Sequence, residues 1–333
     1  MAARKKLNSR PSILALILLG LIGLAGCGTT APAPTTTSAT NPTSAIEAVP
    51  PLATNTVGTT IRAVTTMSIL ADMVNNVGGD RVAAENIIPI GAGPEDYQST
   101  PQDAQKIAGA DILFYNGFGL EEWLDPLFES AGKPDMPRVA VATGLAGIDA
   151  DDEFTQGNPH FWMSAANGVT YVANIRDALI KLDPAGEAVY TANAARYTEQ
   201  LNALNTELKQ QAATLPEADR RLVTNHDAFP YFAREYGFTI IGNLLANPEA
   251  QPSAGEIAQL VETIKRENVK AVFSESQFNP KLTQTLADEA GVSVVAGLYT
   301  DTLGEPGSAG ATYIDMLRSN MTTIVDALSG EKK

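Results

Sequence analysis

The chain has 333 residues, of which 38 are acidic and 23 basic, and its formal net charge at pH 7 is −15. Such a composition lacks the excess of lysine and arginine that neutralises phosphates, which argues against a nucleic-acid-binding protein. Cys27 is the only cysteine, so a disulfide within one molecule is excluded.

Residues 1–26 are predicted to form a signal peptide. Four basic residues precede an apolar run over residues 13–25, which is shorter than the roughly 20 residues of a membrane-spanning helix. Leu-Ala-Gly-Cys at residues 24–27 resembles a bacterial lipobox, which implies cleavage before Cys27 and lipidation of its thiol. The alternative is an ordinary signal peptide with an incidental cysteine.

Residues 27–59 are predicted to be a lipidated cysteine followed by a disordered tether. Threonine, alanine, proline, serine and asparagine dominate this segment, and they bury too little apolar surface to offset the entropy of ordering. An unordered terminus without a role is the alternative. Beyond the four basic residues of the leader, 19 basic residues face 38 acidic ones, a balance compatible with attraction of cations.

Residues 60–184 are predicted to form a first α/β lobe. Predicted strands at 60–66, 83–90, 112–115 and 138–142 alternate with predicted helices at 67–77, 100–108, 120–129 and 167–181. Thr100 and Pro101 are typical of a helix start. Because strands and helices alternate, we expect a parallel sheet with right-handed crossovers.

Residues 185–213 contain no glycine or proline beyond the first turn and predict one long helix that links two lobes. Two helices or a coiled-coil arm are the alternatives. Residues 214–333 repeat the α/β alternation as a second lobe. Its predicted strands lie at 221–224, 239–244, 271–274 and 293–298, and its predicted helices at 228–236, 253–267, 280–290 and 313–328.

The chain has two histidines, His160 and His226, and each falls in a loop rather than on the apolar face of a helix. His226 follows the strand at 221–224, and ligands bind where such parallel strands end. One histidine per lobe at such a rim suggests a shared site.

Imidazole metal sites need further donors, commonly carboxylates. Acidic residues follow separate predicted strands: Glu95 and Asp96, Glu275, and Asp301. Each of them alone would be interpreted as a solvated acid or a helix cap.

Catalytic alternatives find little local support. Ser164 or Ser274 with a histidine and an aspartate could make a nucleophilic triad, but the chain has no Gly-x-Ser-x-Gly elbow. It also has no His-Glu-x-x-His, phosphate-binding loop or dinucleotide fingerprint. A two-histidine, one-carboxylate iron site could be assembled, although such sites usually lie on a β-barrel. We therefore predict no catalytic residues.

The chain resembles the metal-binding solute-binding proteins of bacterial ABC importers, the zinc and manganese group called cluster A-I. The resemblance covers most of residues 60–329. It rests on these stretches: GAGPEDYQSTPQD (91–103), GNPHFWMS (157–164), TNHDAFPYFAREYGF (224–238), PSAGEIAQLVETIKRENVKAVFSESQF (252–278) and LYTDTLG (298–304). It implies two α/β lobes joined by a rigid helix, with one metal ion held between them.

The resemblance implies His160, His226 and Asp301 as metal ligands. A histidine is typical of the family in the first loop, where this chain has Glu95, so that Glu95, Asp96 or water could complete the site. Glu275 resembles a residue that orients a ligand histidine, and direct coordination of the metal by Glu275 is the alternative. More oxygen donors favour manganese slightly over zinc, with iron as a third candidate. An acidic stretch with Asp149, Asp151, Asp152 and Glu153 replaces the histidine-rich loop of zinc-specific members.

The resulting hypothesis is an extracytoplasmic lipoprotein, monomeric and anchored to the cell membrane. It would capture Mn²⁺ or Zn²⁺ and deliver it to a membrane ABC permease, and it would not be an enzyme. The alternative is a surface adhesin that retains the fold.

Overall fold

The structure is a computed structural model that describes residues 60–133, 135–148, 154–245, 248 and 250–330. The predicted signal peptide, Cys27 and the tether lie outside the described residues. So do Asp149, Asp151, Asp152 and Glu153 of the acidic stretch. Within the described ranges, every helix is too short or too polar to cross a membrane.

The first half of the described chain is an α/β unit built on one parallel sheet with strand order β2-β1-β3-β4. Its elements are β1 (Ile61–Thr65), α1 (Ser68–Gly78), β2 (Val82–Asn86), α2 (Pro101–Gly109), β3 (Ile112–Tyr115), α3 (Leu124–Ser130), β4 (Arg138–Ala140) and α4 (Ala165–Leu182). The carboxyl ends of the four strands therefore meet at one edge, as the alternating pattern predicts.

The second half is also parallel α/β. It contains β5 (Arg221–Thr224), α6 (Pro230–Tyr236), β6 (Thr239–Asn243), α7 (Ala254–Arg266), β7 (Ala271–Glu275), α8 (Pro280–Ala290), β8 (Ser293–Leu298) and α9 (Tyr313–Ser329). β5 pairs with β6, β7 pairs with β8, and β5 lies beside β7. At the carboxyl ends of β5 and β7, the side chains of Asn225 and Glu275 each accept a hydrogen bond from the other residue's backbone N–H.

One continuous helix, α5 (Glu187–Ala213), separates the two halves, so the alternative of two shorter helices is wrong. Its 27 residues span about 40 Å. α5 contacts α1 and α4 of the first half and α6 and α9 of the second half. Along its buried stripe, the Tyr197 hydroxyl donates to Asp72 of α1, which also accepts the backbone N–H of Tyr313 at the start of α9.

Helix starts follow their capping residues. Thr100 and Asp103 form a reciprocal capping box at α2, and Ser253 and Glu256 form one at α7. Most predicted boundaries agree with the structure to within about two residues. The exceptions are the end of β2, which stops at Asn86 rather than at residue 90, and the start of α3.

The prediction of a helix from residue 120 was wrong, because residues 118–123 form turns and α3 begins at Leu124. Directly before residue 120, Gly117, Phe118 and Gly119 all have positive φ, so the chain enters the predicted helix in a non-helical conformation. Glu121 turns inward and accepts the backbone N–H groups of Asn116 and Gly117. Burial raises the pKa of Glu121 to about 7, against the opposing effect of these hydrogen bonds.

Candidate metal centre

Four predicted site residues meet at the carboxyl edge of the strands: Glu95, His160, His226 and Asp301. Glu95 belongs to the loop between β2 and α2, and His160 precedes a short 3-10 turn before α4. His226 follows β5 and Asp301 follows β8. One donor atom from each of the four lies within 4.8 Å of the others.

The two imidazoles face each other, with Nε2 of His160 3.3 Å from Nε2 of His226. Around them, Nε2 of His160 lies 3.1 Å from Oε1 of Glu95 and 3.5 Å from Oδ1 of Asp301. Nε2 of His226 lies 3.3 Å from Oδ2 of Asp301 and 3.9 Å from Oε1 of Glu95. Two nitrogen and two carboxylate donors therefore enclose one small volume.

Two carboxylate oxygens in this cluster are buried without a donor. Oε2 of Glu95 and Oδ1 of Asp301 accept no hydrogen bond from the residues that the structure describes. A buried acceptor without a hydrogen-bond donor lowers the stability of the fold, and a bound cation would supply the missing partner for both oxygens. The donor set therefore fits a divalent cation.

Each histidine is oriented from its far side. Nδ1 of His160 lies 3.0 Å from Oδ1 of Asn158, and Nδ1 of His226 lies 2.6 Å from Oε2 of Glu275. With an oxygen acceptor beside each Nδ1, the proton of the neutral ring belongs on Nδ1. The lone pair then belongs on Nε2, which faces the cluster.

Glu275 contacts His226 on the side away from the cluster, a position from which it can orient the ring. Its Oε1 accepts the backbone N–H groups of Asn225 and His226, at 2.9 and 3.1 Å. Its Oε2 accepts the Thr300 hydroxyl at 2.9 Å as well as facing the His226 ring. Because both oxygens already have partners, Glu275 holds the His226 ring in place and is not one of the four clustered donors.

Asp96 is exposed and lies outside the cluster, whereas the side chain of Glu95 is only 7% exposed and lies within it. Of the two acids in the first loop, the structure therefore brings Glu95 to the histidines. Trp123 donates to the carbonyl of Pro94 at 2.8 Å and stacks edge-on against Tyr97, which anchors the loop on both sides of Glu95.

Carboxylates change the acidity of His226. Burial alone would lower its pKa, but the adjacent carboxylates of Glu275 and Asp301 outweigh burial and raise the pKa well above its usual value. The raised pKa favours the protonated imidazole in the metal-free chain, so a metal ion that binds Nε2 would displace a proton.

The loop that carries Asp301 is held by the first half of the chain. Trp162 donates to the carbonyl of Thr300 at 2.7 Å. The Thr302 hydroxyl accepts the backbone N–H of Gly91 at 3.0 Å, and the Leu303 N–H donates to the Ser68 hydroxyl at 3.0 Å. These bonds place Asp301 beside the histidines by protein contacts alone.

Several of these supporting residues were not found by sequence reasoning. Asn158 orients His160, and Gln277 donates to Asp301 at 2.7 Å, yet both are neutral loop amides without a periodic pattern. The only signal for Asn158 was its place two residues before a histidine in a turn. Ser164 and Ser274 do not join the cluster: Ser164 caps α4, and Ser274 lies within β7. The structure therefore offers no support for a serine triad.

Comparison with known proteins gives consistent matches. A family model described as zinc-uptake complex component A, periplasmic, matches residues 63–327. The chain is 35% identical over 272 residues to the manganese-binding lipoprotein MntA of Halalkalibacterium halodurans, covering 82% of this chain and 90% of that protein. It is 35% identical over 266 residues to the iron-binding protein YfeA of Yersinia pestis, covering 79% and 85%.

Among solved structures, the periplasmic zinc-binding protein TroA of Treponema pallidum superposes with a TM-score of 0.74 at 29% sequence identity. The superposition covers 81% of this chain and 99% of that one. The match therefore extends across both α/β halves and the long helix.

Proposed function

The chain belongs to the family of the periplasmic zinc-uptake component A, and on this premise we propose that it captures one divalent metal ion for an ABC importer. The relatives are named as binding proteins for manganese, iron and zinc. Metal capture by a solute-binding protein accounts for both the fold and the four-donor cluster.

The observation that carries this proposal is the spacing of the donors. Four donors placed tetrahedrally at about 2.0–2.2 Å from an ion lie about 1.63 bond lengths apart, or about 3.3–3.6 Å. The two Nε2 atoms are 3.3 Å apart, and Oε1 of Glu95 lies 3.1 and 3.9 Å from them. Asp301 reaches His160 through Oδ1 at 3.5 Å and His226 through Oδ2 at 3.3 Å. An ion could therefore enter with small side-chain adjustments.

In this proposal Glu95, His160, His226 and Asp301 bind the ion, while Asn158 and Glu275 orient the two imidazoles. Two carboxylates balance the charge of a divalent cation, and two imidazoles supply neutral donors. Asp96 takes no part, because its side chain is exposed. The protein supplies all four donors, so no open position is reserved for a substrate, and we propose that the site does no catalysis.

The donor types leave manganese and zinc as the main candidates, with iron as a third. Two carboxylates suit a harder ion such as manganese, whereas a four-donor site with imidazoles also binds zinc. The replacement of the family's first-loop histidine by Glu95 adds an oxygen donor and favours manganese slightly.

The remaining parts of the proposal concern delivery. Residues 27–59 would tether the metal-binding body to the outer face of the cell membrane through a lipid on Cys27. The chain would act as a monomer and hand its ion to a membrane permease. Two α/β lobes, residues 60–184 and 214–333, would be joined by the helical segment at residues 185–213.

The proposal is tested by calorimetric titration of the chain, freed of metal, with Zn²⁺ and with Mn²⁺. We expect His226→Ala to weaken binding at least tenfold, since loss of a supporting residue alone typically costs about 10–100-fold. Unchanged affinity in this variant would contradict the site assignment. A wild-type chain that binds neither ion would contradict metal capture and favour an adhesin that retains the fold.

A further inference from the structure

The side chain of Gln277 lies between the carboxylate of Asp301 and that of Glu275, which faces His226. Gln277 follows β7 by two residues, and its side-chain Nε2 lies 2.7 Å from Oδ2 of Asp301 and 3.3 Å from Oε2 of Glu275. A third contact, at 2.5 Å, joins Nε2 to the Thr300 hydroxyl. Both carboxylate oxygens are acceptors, so the amide must present its NH₂ group to them.

We propose that Gln277 is a positioning residue that limits Asp301 to one metal-binding oxygen and thereby sets the metal selectivity of the site. This inference rests on the proposed function, since it assumes that Asp301 binds the ion. Metal capture itself does not require it.

The two oxygens of Asp301 have different surroundings. Oδ2 accepts the Gln277 amide at 2.7 Å although it also lies 3.3 Å from Nε2 of His226, within reach of the cluster. Oδ1 accepts no hydrogen bond from the residues that the structure describes and lies 3.5 Å from Nε2 of His160. A donated hydrogen bond fixes the plane of the carboxylate and reduces the electron density that Oδ2 can offer a metal. Oδ1 is then the oxygen that is free to bind.

The number of oxygens offered by Asp301 matters because candidate ions differ in coordination number. Zinc accepts four donors in a tetrahedron, while manganese is a harder ion that suits octahedral oxygen sites. With one oxygen each from Asp301 and Glu95, the site presents four donors. Releasing the second oxygen of Asp301 would offer a fifth, which a manganese ion uses better than a zinc ion.

Gln277 also joins the supports of two ligands. Through Glu275 it contacts the carboxylate that lies 2.6 Å from Nδ1 of His226, and through Asp301 it contacts a ligand directly. Nε2 carries two hydrogens, and its two shortest contacts are to Asp301 and to the Thr300 hydroxyl, which itself donates to Glu275 at 2.9 Å. The neutral amide therefore restrains Asp301 directly and Glu275 through Thr300, without a positive charge that would repel the ion. A water molecule in its place could donate to two oxygens, but it is not attached to the chain and would hold them less firmly.

The test compares Gln277→Met, which keeps the approximate size of the side chain and removes the amide, with Gln277→Ala as a second variant. Gln284→Met is the matched control, because Gln284 also donates to a carboxylate, Asp288 at 2.8 Å, but on the exposed face of α8. Competition titrations measure the dissociation constants for Zn²⁺ and Mn²⁺. The visible spectrum of bound Co²⁺, whose intensity falls as coordination rises above four, reports the number of donors.

We expect both Gln277 variants to shift the ratio of the two dissociation constants about tenfold towards manganese, the scale on which supporting residues act. Their Co²⁺ spectra should weaken, while the Gln284 variant matches the wild type. A ratio within about twofold of wild type, or equal weakening for both ions with an unchanged Co²⁺ spectrum, would overturn the role of Gln277 and leave metal capture intact. A wild-type chain that binds none of the three ions would overturn both proposals.

Discussion

The raised pKa of His226 predicts that metal binding releases a proton, and that Glu275 controls how much. Although burial opposes it, the adjacent Glu275 and Asp301 carboxylates hold the His226 pKa well above its usual value. Replacing Glu275 with Gln removes one of these charges, while the amide oxygen can still accept the backbone N–H groups of Asn225 and His226. We expect the His226 pKa to fall in this variant.

The size of the effect follows from proton linkage. While His226 stays protonated in the metal-free chain, metal affinity rises about tenfold for each unit of pH, or about 1.4 kcal/mol. In the wild type this slope persists above pH 6.5, because the folded-state pKa exceeds that value. In Glu275→Gln the slope should flatten at a lower pH.

The proton on His226 also affects the stability of the metal-free chain, and the pH dependence of that stability is opposite to that of metal affinity. A histidine whose pKa is raised on folding stabilises the metal-free chain below the unfolded value of about 6.5, and this contribution is lost as pH rises through the folded pKa. Between about pH 6.5 and the higher folded-state pKa of His226, the metal-free chain therefore loses stability as pH rises, while its metal affinity increases.

Calorimetry in buffers of different ionisation enthalpy counts the protons released per metal ion. We expect the wild type to release about one more proton at pH 7 than His226→Ala, and Glu275→Gln to lie between them. Glu262→Gln is the control, because Glu262 is an exposed carboxylate on α7. Equal proton release by wild type and His226→Ala would refute the reasoning.

Three further predictions follow from the site and its tether. Glu95→Gln should weaken metal binding at least about tenfold by calorimetry, whereas Asp96→Asn should leave it within about twofold; the reverse order would assign the first-loop ligand to Asp96. Removing metal with a chelator should lower the melting temperature, because ligand at about 1,000 times the dissociation constant stabilises by about 4 kcal/mol, and the Glu95→Gln variant should show a smaller loss. Cys27→Ser should release the chain from the membrane fraction without changing the metal affinity of the body; retention in the membrane would contradict lipidation at Cys27.

Much of the fold could be predicted because its signals are local. Thr100 and Ser253 marked the starts of their helices, and a 27-residue segment with no interior glycine or proline formed one helix. The start of α3 was missed because the apolar pattern over residues 120–129 suits a helix. The inward turn of Glu121 and the positive φ of Phe118 are set by the contacts of the folded chain.

The site was predictable to the extent that its residues are rare. Two histidines in 333 residues, each in a loop, stood out from the sequence alone. The choice between Glu95 and Asp96 was left open because it depends on the direction of a loop backbone. Asn158 and Gln277 were missed because a neutral amide gains its role only from the carboxylate or imidazole that folding places beside it.

Elemental analysis of the protein purified from its native envelope without chelators tests metal capture most directly. The proposed function predicts about one manganese or zinc ion per chain, lost when both His160 and His226 are replaced by Ala. A wild-type protein that carries no transition metal, and that takes up neither ion when both are supplied, would contradict the central claim.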